Sequence, residues 1–414
     1  MLVLKKRLVV IGNGMAGMRT VEEILLIAPE KYEITVFGAE PYGNYNRIML
    51  SAVLSGEKAI EDIIINDRQW YQDNGITLYA GQDKAVVTID RDKQSVSTID
   101  GTQVDYDALL IATGSKPLIL PIPGHQLDGV ISFRDIVDVN KMLAYSQSHN
   151  KAVVLGGGLL GLEAANGLVL RGMEVTVLHN GETLLNRQLD QQAATLLQQA
   201  LESRGLKFKM GANTESLIDD GNGHVSAVRF ADGSQLDCDL FVMAIGIKPN
   251  ITLAQAAGLG CERGIVVNDG LQTNDPNIYS VGECIQHRGA TFGLVAPLFD
   301  QAKVCANHLG GEGDAEFISL PTATKLKVTG INVFSVGDFV GDEGSEQIVF
   351  TDSYSGIYKK LVIKDNTIMG AVLYGDTRDG GWYQGLLEKQ QDISLIRDHL
   401  IFGNAYVAQV EVAA

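Results

Sequence analysis

The run RLVVIG, starting at Arg7, is continuously apolar after its first residue, while MRTVEEILLIA just beyond it spaces apolar residues at the helical period. EITVF then returns to a strand-like run, and the turn between the first two is Gly12-Asn13-Gly14-Met15-Ala16-Gly17. The order is strand, glycine turn, helix, strand. The same order recurs later as KAVVLG, Gly156-Gly157-Gly158-Leu159-Leu160-Gly161, LEAANGLVLRG and EVTVLH. Two further segments, YDALLIATGSKP (106–117) and CDLFVMAIGIKPN (238–250), each read as a strand running into a small-residue glycine turn. From about Leu320 the pattern changes to KLKVTGINVFSVG, QIVFTDS, YKKLVIKD and IMGAVLYGD, separated by Gly, Asp and Asn. That predicts an antiparallel sheet closed by one or two helices, with WYQGLLEKQQDISLIRDHLI as the candidate.

In a strand–turn–helix unit of this kind each glycine has a separate task. Gly12 permits the tight turn, Gly14 lets backbone approach a pyrophosphate, and Gly17 lets helix and strand pack closely. The helix start then offers unpaired N–H groups and partial positive charge to the phosphates. Gly156, Gly158 and Gly161 repeat the arrangement, so the chain is expected to hold two dinucleotides. Glu40, just after the first unit's second strand, is the candidate acceptor for a ribose hydroxyl. The second unit ends instead in His179, Asn180 and Gly181, with neither an acid nor an arginine pair, and the pattern does not choose between NADH and NADPH.

At 414 residues the chain has room for two or three domains, and 45% apolar with 20% charged residues is a globular composition. A net charge of −17 argues against nucleic acid as a partner, because phosphate backbones need clustered Lys and Arg. No apolar stretch reaches the roughly 18 residues of a spanning helix. The first strand begins too early for an export signal, so no membrane association and a cytoplasmic location are expected. Cys238, Cys261, Cys284 and Cys305 lie far apart without metal-type spacing, so no metal site is expected and each reads as a reduced thiol.

The paired glycine turns and the paired strand-to-glycine segments, together with NIYSVGECIQHRG (277–289), resemble the two-dinucleotide-binding flavoprotein superfamily from about residue 5 to about residue 310. The resemblance implies an α/β fold: two Rossmann-like domains, for FAD and NAD(P), plus a C-terminal α+β domain with an antiparallel sheet. The expected boundaries are 1–115 with 245–319 for FAD, 116–244 for NAD(P)H and 320–414 for the third domain. It also implies FAD contacts from Ala16, Val87 (by backbone), Thr113, Gly114, Arg134, Gly246, Gly282 and Glu283, the last replacing a commoner Asp.

Superfamily members that reduce disulfides or peroxides carry cysteine soon after the first acid. Here that region reads EPYGNYNRIMLSAVLSG and has none, which removes the thiolate such chemistry needs. YNRIMLSAVLSG, FGLVAPLFDQA, TATKLKVTGINVFSVGDF and GAVLYGDTRDGGWYQGLL look like the flavin module of NAD(P)H nitrite reductase large subunits, near rubredoxin and ferredoxin reductases, and extend the resemblance to about residue 403. The cysteine clusters of the iron–sulfur and sirohaem modules are missing from this sequence, so nitrite reduction is not expected of it alone. Ala52 stands where many ferredoxin-reductase relatives place a lysine, and Arg47 is expected to supply that cation.

By the same resemblance Glu163 is expected nearest the nicotinamide, with Arg47 as the second catalytic candidate, Leu159 and Leu160 shaping the nicotinamide pocket and Pro297 near the flavin pyrimidine. Electrons would pass to an iron–sulfur or haem partner protein or subunit, and a homodimer is an expected assembly. Lys325, Lys327, Lys359 and Lys360 are the candidate docking patch. The alternatives are a rubredoxin or ferredoxin reductase and, outside enzymes, a flavin-bound redox sensor or assembly protein.

Overall fold

The computed structural model describes residues 5–311, 313–319, 323–328 and 330–413. The first apolar run forms β1 (Lys6–Ile11), the helical run α1 (Met15–Ile27) and the next run β2 (Tyr32–Gly38). A short helix, α2 (Leu50–Ser55), precedes β3 (Thr77–Ala80), β4 (Ala108–Ile111) and β5 (Ser115–Pro117). A second unit follows: β6 (Val130–Ser132), α3 (Ile136–Ser148), β7 (Lys151–Leu155), α4 (Leu159–Leu170) and β8 (Glu174–Leu178). It continues with α5 (Gln191–Glu202), β9 (Lys207–Lys209), β10 (Leu240–Met243) and β11 (Ile247–Pro249). The chain then returns to the first unit through β12 (Ile278–Ser280) and α6 (Val295–Gly310).

The two units are built alike. Their sheets run β12–β4–β1–β2–β3 and β6–β10–β7–β8–β9, with every neighbouring pair parallel. Parallel strands covered by helices are buried on both faces, which is why RLVVI and KAVVL are continuous apolar runs rather than alternating ones. The strands β4 and β10 each run on, past a glycine, into β5 and β11, and these pair antiparallel as a two-stranded ribbon. The ribbon therefore joins the carboxyl ends of both sheets. Although α2 precedes the second unit in sequence, its Leu50, Val53 and Leu54 lie in the same core as Leu162, Ala165 and Leu168 of α4.

The third region holds β13 (Thr324–Val328), β14 (Ile331–Gly337), β15 (Glu346–Asp352), β16 (Ile357–Lys364) and β17 (Thr367–Tyr374), antiparallel in the order β13–β14–β17–β16–β15. One face, with Val333, Tyr358 and Val372, shares a core with Leu197 of α5, while Phe334, Leu361 and Leu373 pack under α7 (Gly380–Glu388). Of the stretch 382–401, expected to supply one or two helices, α7 takes the residues up to Glu388: Gln390 takes a left-handed φ of 48°, and Arg397–Phe402 is a 3-10 turn before α8 (Asn404–Ala413).

Burial on both faces overturns the expected lysine patch. Lys359 is 6% and Lys360 7% exposed; Lys359 Nζ sits 3.5 Å from Asp376 and 3.3 Å from Asp379, and Lys360 Nζ 3.6 Å from Asp190. They are interior ion pairs. Lys325 is exposed, and the Lys327 side chain lies outside the described residues.

Candidate functional site: two phosphate cradles and the charges between them

The glycine turns are built in the same way twice. Gly12 has φ +117°, and a Cβ there would fall 2.1 Å from the Ala112 carbonyl oxygen; Gly156 has φ +131° and would meet Ala244 oxygen at 2.3 Å. A Cβ on Gly17 would lie 2.7 Å from Gly12 oxygen, and one on Gly161 2.0 Å from Gly156 oxygen. By contrast, nothing lies within 4 Å of a Cβ on Gly14 or Gly158. The first and third glycines are required by the fold itself, whereas the second faces open space at a helix start.

The helix starts divide in the same sense. Helices α3 and α5 are capped by Asp135 and Asp190, whose carboxylates accept from the Asp138 and Ala193 backbone N–H groups. Helices α1, α4 and α6 begin at Gly14, Gly158 and Leu294 with no side-chain cap and no acid in the first turn. These N-termini, uncapped like those of α2 and α7, keep donors and positive potential for a ligand. Gln301 of α6 adds a further donor. Its Oε1 accepts from Gly282 N–H at 2.8 Å, leaving the fully buried Nε2 without a protein partner. Open cradles and an orphaned buried amide fit dinucleotide phosphates and a polar ring edge.

Between the cradles runs a chain of charges. Glu40 accepts from Arg47 Nη2 at 2.5 Å and from the Tyr45 hydroxyl at 2.7 Å. Arg47 Nη1 donates to the Arg134 carbonyl at 2.8 Å, Arg134 pairs with Glu283, and Ser115 Oγ donates to Glu283 at 2.7 Å. Thr113 Oγ1 donates to the Asn250 carbonyl at 2.8 Å, tying the turn before β5 to the end of β11. Ala16 Cβ stands 3.2 Å from the Cβ position of Gly282, which brings the VGE segment onto the first turn. The structure therefore gathers Ala16, Glu40, Arg47, Thr113, Gly114, Arg134, Gly282 and Glu283 along one line. Gly246 lies apart from it, in the ribbon, accepting from Leu118 N–H at 2.9 Å. Val87 occupies a register shift between Val86 and Thr88, where a backbone is free of the ladder.

Glu163, in the second turn of α4, lies against α2, and Ser51 is its side-chain hydrogen-bond partner. Burial pushes its carboxyl up to about 7, the Ser51 bond opposing this, and among the described residues no cation pairs with it. Arg47, expected to stand in for the lysine missing at Ala52, has its guanidinium paired with Glu40. Leu159 and Pro297 are half-buried and Leu160 is exposed, all at the helix starts expected to face the nicotinamide and flavin. His179 turns under the second glycine loop: its Nδ1 accepts from Gly157 N–H at 3.3 Å and its buried Nε2 has no partner. Ser51 and Gln301 escaped the sequence reading, since neither residue type nor spacing marks them.

Cys238, Cys284 and Cys305 are buried and Cys261 half-buried; burial raises every thiol, Cys238 to about 12, so none is a ready nucleophile. Among the described residues no acid, His or Cys group is arranged for a metal, and no helix is long and apolar enough to cross a membrane.

Residues 6–306 match the family described as pyridine nucleotide-disulphide oxidoreductase, and residues 322–391 match the rubredoxin NAD+ reductase C-terminal domain. The nitrite reductase [NAD(P)H] of Bacillus subtilis (strain 168) is 49% identical over 94% of this chain and 48% of its own length. The assimilatory nitrate reductase electron transfer subunit of the same organism is 47% identical over 96% of this chain and 51% of its own. The chain spans about half the length of these relatives. Putidaredoxin reductase, solved in covalent complex with putidaredoxin, shares the fold with a TM-score of 0.86 at 24% identity, covering 100% of this chain and 99% of that one.

Proposed function

Because the chain belongs to the pyridine nucleotide-disulphide oxidoreductase family, we propose that it carries electrons from NAD(P)H through FAD to a separate redox protein or subunit, as the electron-transfer part of a nitrite- or nitrate-reducing system. The observation that carries this is the twin cradle: two matching sheets, each offering an uncapped helix start beside a glycine that faces open space. Residues 1–115 and 245–319 would hold FAD and 116–244 the nicotinamide nucleotide, with 320–414 packed against them.

Bound FAD would accept hydride from the nicotinamide and release electrons singly, chemistry the cofactors supply. The chain's share is to fix them. Gly14 and Gly158 admit the pyrophosphates, and Glu40 accepts ribose hydroxyls. Glu283, longer than Asp by one methylene, reaches the ribityl side from its pairing with Arg134. Glu163 presents a carboxyl able to hold a proton near neutral pH beside the nicotinamide site. The absence of a reactive thiol directs electrons outward rather than into a disulfide. The runner-up is a rubredoxin reductase, favoured by the match over residues 322–391.

The test is anaerobic titration of the FAD-reconstituted protein with NADH and with NADPH. Bleaching of the flavin band by either, and rapid dye reduction without disulfide-reductase activity, is expected. A protein that retains no FAD on reconstitution would sink the reading.

A further inference from the structure

The chain carries 50 acidic against 33 basic side chains, so its mean field repels acidic proteins, and a surface that attracts one has to be local. The ribbon β5–β11 provides such a place. Lys116 and Lys248 are Cα partners across it, both exposed, and among the described residues neither makes an ion pair or side-chain hydrogen bond. Like charges directly opposite one another weaken a strand pair. The pair arises because the matching segments GSKP and GIKP meet antiparallel.

Its neighbours place it at the cofactor site. One residue before Lys116, Ser115 turns inward to Glu283 at 2.7 Å. One residue before Lys248, Ile247 lies 3.7 Å from the Cβ position of Gly293, in the loop leading into α6. Alternation along a strand then sends both lysines to the outer face. Leu118, 44% exposed, lies two residues beyond Lys116 on the same stretch of chain. A positive pair with an exposed apolar residue next to it is the makeup of a small transient docking surface.

We propose that the Lys116–Lys248 pair, with Leu118, is the docking surface for an acidic one-electron carrier protein, and that electrons leave the molecule there. The proposal rests on the electron-transfer reading above. One NAD(P)H yields NAD(P)+, one proton and two electrons, and two carrier molecules take one electron each. Charge complementarity with the two unpaired lysines favours an acidic carrier.

The test uses the FAD-reconstituted full chain, rubredoxin as carrier and a neutral quinone as a small acceptor. In Lys116→Glu/Lys248→Glu, rubredoxin binding and its second-order reduction rate should each fall by about tenfold or more at low salt, and the gap should close as ionic strength rises. Quinone reduction should not change. Lys116→Gln/Lys248→Gln, which removes the like-charge contact and the two positive charges without adding negative ones, should fold at least as stably and shift binding in the same direction by less. Rubredoxin binding no tighter in the wild type than in the variants overturns the proposal, as does a raised KM for NAD(P)H with quinone, which would assign the lysines to the nucleotide. Failure of the wild type to reduce quinone would instead sink the electron-transfer reading, while the binding comparison still decides the surface.

Discussion

Arg171, the residue that closes α4, donates from Nε to the Leu54 carbonyl at 2.6 Å and from Nη2 to the Val53 carbonyl at 3.0 Å. A cation thus satisfies the open carbonyl end of α2, where the helix dipole is negative. One turn earlier on α4, a Cβ at Gly167 would fall 2.7 Å from Leu54 Cγ, so the two helices meet through a notch. This contact is what holds Ser51 beside Glu163. Arg171→Ala should lower stability by about 1–2 kcal/mol, read by urea denaturation. Gly167→Ala, which overpacks the notch, should cost about 1–3 kcal/mol.

The cradles predict two kinds of glycine variant. Gly14→Ala and Gly158→Ala add a methyl where only solvent stands, so folding should be retained while one nucleotide is lost from each: FAD from the first, the nicotinamide nucleotide from the second. Gly12→Ala and Gly156→Ala drive a methyl into a backbone carbonyl at a left-handed φ and should instead destabilise the fold, by several kcal/mol. Flavin content after reconstitution and quenching of flavin fluorescence by NADH separate the outcomes. A Gly158→Ala protein with full nucleotide affinity would remove the second cradle from the argument.

Glu163 makes stability depend on pH. Its folded-state carboxyl is raised from 4.5 to about 7 by burial. The folded chain therefore binds this proton more tightly than the unfolded one. The resulting contribution is complete below about 4.5 and is lost as pH rises through about 7. Relative to Glu163→Gln, the wild type should lose on the order of 2 kcal/mol between pH 5 and pH 8. Parallel urea curves for the two proteins at each pH measure it. Identical pH profiles would mean that the carboxyl is ionised and solvated throughout.

How much of this was legible beforehand depended on whether local spacing carried the cause. Both glycine turns could be read because each glycine answers to a contact within its own strand–turn–helix unit. The strands 106–117 and 238–250 were also visible, but their pairing into one ribbon was not, since β5 and β11 lie far apart in sequence. Lys359 and Lys360 misled for a physical reason. YKKLVIK reads as a strand with a wet face, yet β16 is covered by α5 on one side and α7 on the other, so both lysines are enclosed with acids from distant loops. Arg47 was read as the cation standing in for the lysine missing at Ala52, and its pairing with Glu40 could not be read from spacing because only the folded chain brings the two together. Ser51 and Gln301 matter through which atom they leave unsatisfied or share, which no spacing reveals.

His179 sets the last prediction, because it stands where a carboxylate would select an unphosphorylated ribose. Its Nδ1 is occupied as the acceptor of the Gly157 N–H, so the neutral ring carries its proton on Nε2, and that nitrogen has no partner in the protein. A donor rather than a fixed negative charge therefore stands at the end of β8, and a 2′-phosphate meets no repulsion from this residue. The wild type should use NADH and NADPH with kcat/KM values within about tenfold of each other, measured with a dye acceptor. His179→Glu restores a carboxylate at the position, and a like-charge contact there should lower kcat/KM for NADPH by about tenfold or more while NADH changes little. His179→Asn keeps a neutral donor and should stay close to the wild-type ratio. If the Glu variant left the ratio unchanged, the ring would lie outside the ribose site, and the choice between the two nucleotides would belong to another residue of the second cradle.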